Sequence, residues 1–169
     1  AHQRKAVHMI GLDPAGRVSA QSPNARLGFD LVQVSQVAAS MESFGALYET
    51  RLFTPLELEY AGCDDAVRAE RLAARFAAKE AVIKALRLSN EGIGWREIEV
   101  LKLADGDCDV LLHGRTAELA RRMGVERVLL SLSHDGDYAG AFVSVQMKHD
   151  HVPFDEVRAN GSEREAAAS

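Results

Sequence analysis

Residues 71–86, RLAARFAAKEAVIKAL, decide the fold because they form a long helical pattern on which the rest of the chain can pack. The segment is rich in Ala, Leu, Arg, Lys and Glu and contains neither Gly nor Pro, which favours a stable helix. We expect Asp64 or Asp65 to cap this helix, and the helix to end at about Leu88. Apolar residues at helical spacing predict one buried face: Leu72, Phe76, Ile83 and Leu86.

The rest of this helix surface carries charge. A cationic stripe steps by four residues, and a second i,i+4 pair lies beside it. The stripe is Arg71, Arg75 and Lys79, and the pair is Glu80 and Lys84. On spacing alone, the stripe is also consistent with a solvated face, and the pair with an ordinary surface ion pair.

Chemically reactive side chains also occur within apolar segments on both sides of this helix. Asp30 lies in LGFDLV, where a carboxylate is costly to bury unless it is paired or binds a metal. Downstream, LSLSHDGDYAGAFV places Ser133, His134 and Asp135 at the end of an apolar run. Carboxylates together with a basic stripe point to a divalent metal and a phosphorylated ligand.

Composition limits the class of protein. The chain has 169 residues, 47% hydrophobic and 27% charged, which suggests one globular domain. A net charge of −5 argues against bulk nucleic-acid binding, which needs a broad basic surface. Only two cysteines are present, so we expect a reducing, cytoplasmic environment. No apolar run reaches the roughly 18 residues that span a bilayer, so we expect no membrane partner.

Periodicity and turn residues predict an α+β fold, with the long central helix packed on a small antiparallel sheet. Thr54-Pro55-Leu56-Glu57 is a capping box that begins a short helix. The other expected helices are 33–43, 44–53 and 114–123, and the expected strands are 26–32, 97–103, 108–113, 127–133 and 138–147. We expect residues 1–25 to be an N-terminal extension, with a possible edge strand at 5–12. Residues 148–169 are expected to be a polar, disordered tail.

Taken in order, five segments resemble the 4′-phosphopantetheinyl transferases, and the single-copy holo-acyl-carrier-protein synthase branch in particular. They are LGFDLV, RLFTPLELEYA, RLAARFAAKEAVIKAL, GIGWREIEV and SLSHDGDYAGAFV. The resemblance covers roughly residues 26–147 and implies the fold of that family for this domain. Gly-Leu-Asp at residues 11–13 is similar to Gly28-Phe29-Asp30, but Pro14 follows it and disfavours a continuing strand. Asp30 is therefore matched to the family's strand aspartate.

The resemblance implies transfer of 4′-phosphopantetheine from coenzyme A to a serine of an apo acyl carrier protein, with release of adenosine 3′,5′-bisphosphate. Asp30 and Glu80 would hold Mg²⁺, a cation that prefers oxygen ligands. Lys84 would meet a phosphate or help to deprotonate the serine, so Glu80 and Lys84 are the implied catalytic residues. Glu80, Glu57 and a water on the metal stay open as the general base. The implied coenzyme A contacts are Arg71, Arg75, Lys79, Gly92, Gly94, Ser133 and His134.

The family also implies a homotrimer with coenzyme A bound between neighbouring subunits. One feature departs from the family pattern: the helix expected at 33–43 carries Glu42 as its only charge, whereas relatives have Lys or Arg there to dock the acidic carrier. This departure keeps a second hypothesis open, a non-catalytic domain that binds carrier protein or coenzyme A in a larger synthase. A third is a metal-dependent hydrolase that acts on a nucleotide pyrophosphate.

Overall fold

The computed structural model describes residues 24–148 and confirms the α+β class. The predicted strand at 5–12, and almost all of the predicted extension and tail, lie outside the described residues. The helices are α1 (Val34–Phe44), α2 (Ala46–Leu52), α3 (Pro55–Ala61), α4 (Asp65–Leu86) and α5 (Gly114–Arg122), with a 3₁₀ turn at Trp95–Glu97. The strands are β1 (Ala25–Gln33), β2 (Ile98–Lys102), β3 (Cys108–Leu112), β4 (Val125–Asp135) and β5 (Tyr138–Met147).

The described strands form two antiparallel sheets rather than the single sheet that the sequence predicts. β1, β5 and β4 form a three-stranded sheet in that order, whereas β2 and β3 pair only with each other. Residue alternation identifies a strand, but the choice of partner strand depends on tertiary packing, so the division into two sheets was not visible in the sequence.

Helix α4 packs closely against the three-stranded sheet because both surfaces carry small side chains. Alternate residues of β5 from Ala139 to Val145 are almost fully buried, and α4 contributes several buried alanines. Gly28 of β1 makes the approach possible, since a Cβ atom there would lie 2.0 Å from the carbonyl oxygen of Ala81. A glycine two residues before Asp30 therefore sets how near that carboxylate comes to α4.

Helix α4 is buried on more sides than its apolar pattern predicts. Arg75 and Lys79, expected on an exposed stripe, are 3% and 0% exposed. The helix ends at Leu86, two residues earlier than predicted, because Arg87 adopts a left-handed conformation with φ of 56°. The amide of Leu88 then donates to the carbonyl of Ile83. No helix in the described part of the chain is both long and apolar enough to span a bilayer.

The short helix α3 begins as predicted. The Thr54 hydroxyl accepts from the Glu57 amide, and the Glu57 carboxylate accepts from the Thr54 amide, which completes the capping box. Glu57 is only 1% exposed, so this cap is part of the core.

The side of the three-stranded sheet that faces away from α4 is apolar and exposed. We call it the outer sheet face, and Phe29 of β1 lies beside Phe142 of β5 at its centre. A contiguous apolar surface of this kind is a common sign of a protein interface. Its large exposed residues are Leu27, Phe29, Leu31, Leu129 and Phe142.

Candidate active site

An ion pair between Asp30 and Lys84 joins β1 to the last turns of α4. The Lys84 Nζ atom lies 2.6 Å from Asp30 Oδ1 and 3.4 Å from the carbonyl oxygen of Phe29. The Asp30 side chain is 15% exposed and the Lys84 side chain 51% exposed, so the lysine covers the carboxylate from the solvent side. The hydrogen bond to Asp30 raises the pKa of Lys84, which keeps this amine protonated.

Glu80 lies one turn before Lys84 and completes this group. Burial raises the pKa of Glu80, and the neighbouring negative charge of Asp30 raises it further, while Lys84 partly offsets both effects. Two carboxylates that repel each other in this way are suited to share a divalent cation. Within residues 24–148, no three or more His, Cys, Asp or Glu side chains group as a metal site. A metal here would take two protein carboxylates and other oxygen ligands, which suits Mg²⁺.

A cavity of about 300 Å³ opens beside Glu80, between α4 and the loop that follows it. It is lined by Glu80, Ile83, Leu88, Ser89, Gly92, Ile93 and Trp95. Gly92 has φ of 63°, a conformation that favours glycine and lets the loop turn at the cavity wall. Gly94, also predicted to contact the ligand, does not line the cavity, and its amide donates to Glu97 Oε1 at 3.4 Å.

A second cavity of about 770 Å³ lies between β3, α5 and β4. It is larger, but none of the predicted site residues lines it. We therefore place the candidate site at the smaller cavity, which Glu80 and Gly92 line and whose Glu80 interacts electrostatically with the Asp30–Lys84 ion pair.

Lys79 does not match its predicted role as a phosphate contact. Its ammonium donates to Glu57 Oε2 at 2.8 Å and to the carbonyl oxygens of Trp95 at 3.1 Å and Ile98 at 2.6 Å, so all three of its protons are used. Burial lowers the pKa of Lys79, and the Glu57 carboxylate counteracts this effect. Lys79 therefore fastens the loop and β2 to α4, and we remove it from the candidate site.

Glu57 is likewise unavailable as a general base. One carboxylate oxygen accepts from Lys79 and from the Thr54 amide, and the other accepts from the Val100 amide at 3.0 Å. The carboxylate is buried within this network and has no route to a substrate hydroxyl. Of the bases that the sequence left open, Glu80 and water remain.

Arg71 and Arg75 lie together near the end of α3. The Arg71 guanidinium donates to the carbonyl oxygens of Tyr60 and Ala61, and Arg75 donates to the carbonyl oxygen of Arg71. Both guanidinium groups contact the Tyr60 ring, at 5.0 and 4.1 Å from its centroid. The structure thus keeps the two arginines together around the Tyr60 ring, with Arg75 buried near the Lys79–Glu57 pair.

His134 and Ser133 lie away from the carboxylates of the same chain. His134 Nε2 is 3.5 Å from Glu70 Oε1, and Glu70 precedes Glu80 by about 15 Å along α4 at 1.5 Å per residue. Ser133 is exposed and pairs with Gly140 across the strands. His134 is therefore distant from Glu80 within one copy, and Ser133 shares the outer sheet face with Leu31, whereas Asp30 points toward α4.

Two residues that were not predicted from the sequence hold elements around the candidate site in place. Asp137, in the β4–β5 turn, accepts from the Ser35 amide and hydroxyl at 2.8 and 2.6 Å and so fixes the start of α1 to the hairpin. The hydrogen bonds from Ser35 lower the pKa of Asp137. The second residue is Tyr60, whose ring contacts Arg71 and Arg75. The only signal for it in the sequence is its position in the segment RLFTPLELEYA.

A family model described as the 4′-phosphopantetheinyl transferase superfamily matches residues 26–143. The chain belongs to this superfamily. Two relatives named holo-[acyl-carrier-protein] synthase share 42% identity over 120 residues, in Gloeobacter violaceus, and 46% over 118 residues, in Desulforudis audaxviator. These alignments cover 71% and 69% of this chain and 91% and 88% of the relatives.

Solved structures of the superfamily share the fold of this transferase. The ACPS–CoA complex of Chronobacterium ammoniagenes matches with a TM-score of 0.65 and 33% identity, covering 74% of this chain and 98% of that one. The acyl carrier protein synthase of Mycobacterium tuberculosis matches with a TM-score of 0.58 and 33% identity, covering 73% and 97%.

Proposed function

We propose that this chain is a holo-[acyl-carrier-protein] synthase, which transfers 4′-phosphopantetheine from coenzyme A to a serine of an apo acyl carrier protein. The observation that carries this proposal is the group formed by Asp30, Glu80 and Lys84, of which Glu80 lines the 300 Å³ cavity. Family membership supports it, as does the complex of a 33% identical relative with coenzyme A.

The reaction places specific demands on these side chains. The serine oxygen attacks the pantetheine-side phosphorus of the pyrophosphate, the bond to the adenosine bisphosphate breaks, and the serine proton leaves to a base. Lys84 has an exposed, flexible stem and an ammonium held beside Asp30, so it can place a positive charge on a phosphate oxygen as negative charge develops. Glu80 lies on the same side of α4 and is the protein group best placed to accept the proton.

Asp30 and Glu80 are the residues that would hold Mg²⁺. The fit rests on Glu80, whose pKa is raised by burial and raised further by the negative charge of Asp30; a bound dication would relieve the repulsion between the two carboxylates. When bound, the metal would supply charge neutralisation of the pyrophosphate.

The remaining coenzyme A contacts divide between one chain and its neighbour. Arg71, Arg75 and the Gly92 loop lie on the same chain as the carboxylates. His134 instead contacts Glu70, about 15 Å along α4 from Glu80, and Ser133 lies on the outer sheet face, in register with Gly140 and Leu31. We infer that His134 and Ser133 act on coenzyme A held by an adjoining copy. The expected role of Gly94 is to shape the loop through its bond to Glu97.

A homotrimer would explain both this division and the exposed outer sheet face. Phe29 and Phe142 leave about half of their surface in solvent in a single chain, 58% and 44%, and packing of this face against other copies would bury them. Light scattering should give a trimer mass, and a monomer mass would contradict this part of the proposal. We place the reaction in the cytoplasm, as both Cys63 and Cys108 are free thiols.

The test is intact-mass spectrometry of an apo acyl carrier protein incubated with this chain, coenzyme A and Mg²⁺. We expect a mass gain of one phosphopantetheine, and Glu80→Gln should abolish most of it because one metal carboxylate is lost. Omission of Mg²⁺ with chelator present should have the same effect.

The alternative of a non-catalytic binding domain has one observation in its favour. Helix α1 carries no Lys or Arg, and Phe44 and Leu47 at the α1–α2 junction are 66% and 73% exposed. If several apo carriers stay unmodified while coenzyme A binds, this alternative replaces the proposed transferase. Release of adenosine bisphosphate without a carrier would instead favour a hydrolase.

A further inference from the structure

Tyr60 covers a buried arginine of α4, the helix that also carries Glu80 and Lys84. Its ring centroid is 4.1 Å from the Arg75 guanidinium carbon, and Arg75 is 3% exposed while Tyr60 is 37% exposed. Burial lowers the pKa of Arg75, and the Tyr60 hydroxyl and the Glu57 carboxylate counteract this effect. The guanidinium stays protonated, since arginine is not deprotonated in proteins. The ring face therefore replaces part of the hydration that the buried guanidinium has lost.

Two other arginines of α4 fix the position of Tyr60 by binding backbone carbonyl oxygens at the end of α3. Arg71 donates to the carbonyl oxygens of Tyr60 and Ala61 at 3.0 and 3.4 Å. Arg68 donates to the carbonyl oxygens of Leu58, at 3.1 Å, and Gly62. These bonds satisfy the last carbonyls of α3 and tie its final turn to α4, so the ring cannot drift from the arginine cluster.

Arg75 keeps unused hydrogen-bonding capacity in this position. One terminal nitrogen donates to the carbonyl oxygen of Arg71 at 3.1 Å, but its Nε atom is buried and has no hydrogen-bond partner within the described residues. A buried donor without a partner costs free energy unless a ligand supplies an acceptor. Arg75 precedes Glu80 by five residues, about 7.5 Å along the helix axis and about 140° around it. The resemblance to the transferases implies a phosphate of coenzyme A as the missing acceptor.

We propose that Tyr60 is a positioning residue for coenzyme A: its ring holds the Arg75 guanidinium in the orientation that binds a phosphate of this substrate. The proposal deepens the proposed function and rests on it. Tyr60 acts through Arg75 and does not take part in the transfer itself, so it sets the affinity for coenzyme A and leaves the chemical step unchanged.

Substitutions at position 60 test the ring. Tyr60→Leu should raise KM for coenzyme A about fivefold to tenfold with kcat and KM for the carrier almost unchanged, whereas Tyr60→Phe, which keeps the ring face, should stay within about twofold of the wild type. Leu56→Ala is the matched control on α3, because Leu56 lies on the same helix as Tyr60 and is 56% exposed, and it should leave KM for coenzyme A unchanged. An equal loss in Leu and Phe variants, or none in either, would overturn the proposal.

A double-mutant cycle with Arg75→Gln tests whether Tyr60 acts through this arginine. We expect Tyr60→Leu to add no further increase in KM once Arg75 is replaced, while additive effects would overturn the proposal. Thermal unfolding should show each variant folded; if Arg75→Gln does not fold, the contrast between Leu and Phe at position 60 decides alone. Quenching of the single tryptophan, Trp95, reports coenzyme A binding directly. Weakened binding without any transfer by the wild type would keep the role of Tyr60 and refute the transferase.

Discussion

Lys79 and Lys84 lie on the same helix five residues apart, and each forms an ion pair with a carboxylate from another element. Lys79 pairs with Glu57 in the core, where both side chains are 0% exposed, and every proton of its ammonium is used. Lys84 pairs with Asp30 at the surface and is 51% exposed. One lysine is locked into the fold, and the other is free to exchange its carboxylate for a ligand.

The adjacent charged residues Lys79 and Glu80 have different roles because they point in different directions. Successive residues of a helix point about 100° apart, so Lys79 faces α3 and β2 while Glu80 faces the cavity. A buried pair loses much of its attraction to desolvation and is costly when half of it is removed. An exposed pair adds little stability but can change partners.

The largest effect is expected from Lys79→Met, which leaves the Glu57 carboxylate buried without its cation. We expect the free energy of unfolding to fall by about 3–5 kcal/mol. Urea denaturation at a fixed protein concentration measures this loss. The same substitution at Lys84 is the control and should change stability by less than about 1 kcal/mol. Equal stability of the two variants would mean that the buried pair does not form.

Lys84→Met should instead reduce activity. Loss of the ammonium beside Asp30 removes a charge that stabilises the transition state, and we expect kcat/KM to fall on the order of 100-fold, or about 2.7 kcal/mol. Carrier modification followed by mass spectrometry gives the rates, and Lys84→Arg should retain more activity than Lys84→Met. If the activity of Lys84→Met stays within twofold of the wild type, Lys84 has no role in the reaction beyond its ion pair with Asp30.

The smallest of the three effects is expected from a change at Glu99. Its carboxylate accepts a hydrogen bond from the Thr54 hydroxyl and so extends the buried network of Thr54, Glu57 and Lys79. Burial opposes its ionisation, but hydrogen bonds from Thr54 and His113 outweigh burial and lower the pKa of Glu99 below 4.5. Its contribution to stability is therefore present above pH 4.5 and is lost as pH falls through the lower, folded-state pKa. The free energy of unfolding of Glu99→Gln should be about 1–2 kcal/mol lower than that of the wild type at pH 7.

The pH dependence supplies the control for this variant. The difference in unfolding free energy between wild type and Glu99→Gln should shrink as pH falls below 4.5, because the wild-type carboxylate becomes protonated. A constant difference from pH 7 to pH 3 would contradict the assigned pKa direction.

Much of the fold followed from local patterns. The capping box at Thr54 and Glu57, the helix through residues 71–86 and the hairpin from β4 to β5 all depend on residues close together in sequence. The division into two sheets did not follow, because it depends on which distant edges meet. The left-handed Arg87 also ended α4 earlier than its composition predicts.

The candidate site was predictable only in part. The resemblance grouped Asp30, Glu80 and Lys84, and the structure places Lys84 against Asp30 at 2.6 Å with Glu80 one turn away. It also grouped Lys79 with Arg71 and Arg75 as ligand contacts, since a spacing of four residues on one helix does not reveal which side another element covers. Glu57 reaches Lys79 from 22 residues away, and only the packing of α3 on α4 brings them together.

The sequence by itself determined the identity and order of the elements, the family, and the three residues Asp30, Glu80 and Lys84 that carry the proposed chemistry. Tertiary structure decided which cations are available: it buried Lys79, set Tyr60 over Arg75, and placed His134 beside Glu70, away from the carboxylates. The physical reason is that helix periodicity fixes the direction of each side chain around its own axis. Whether that direction leads to solvent or to core depends on elements that are distant in the chain.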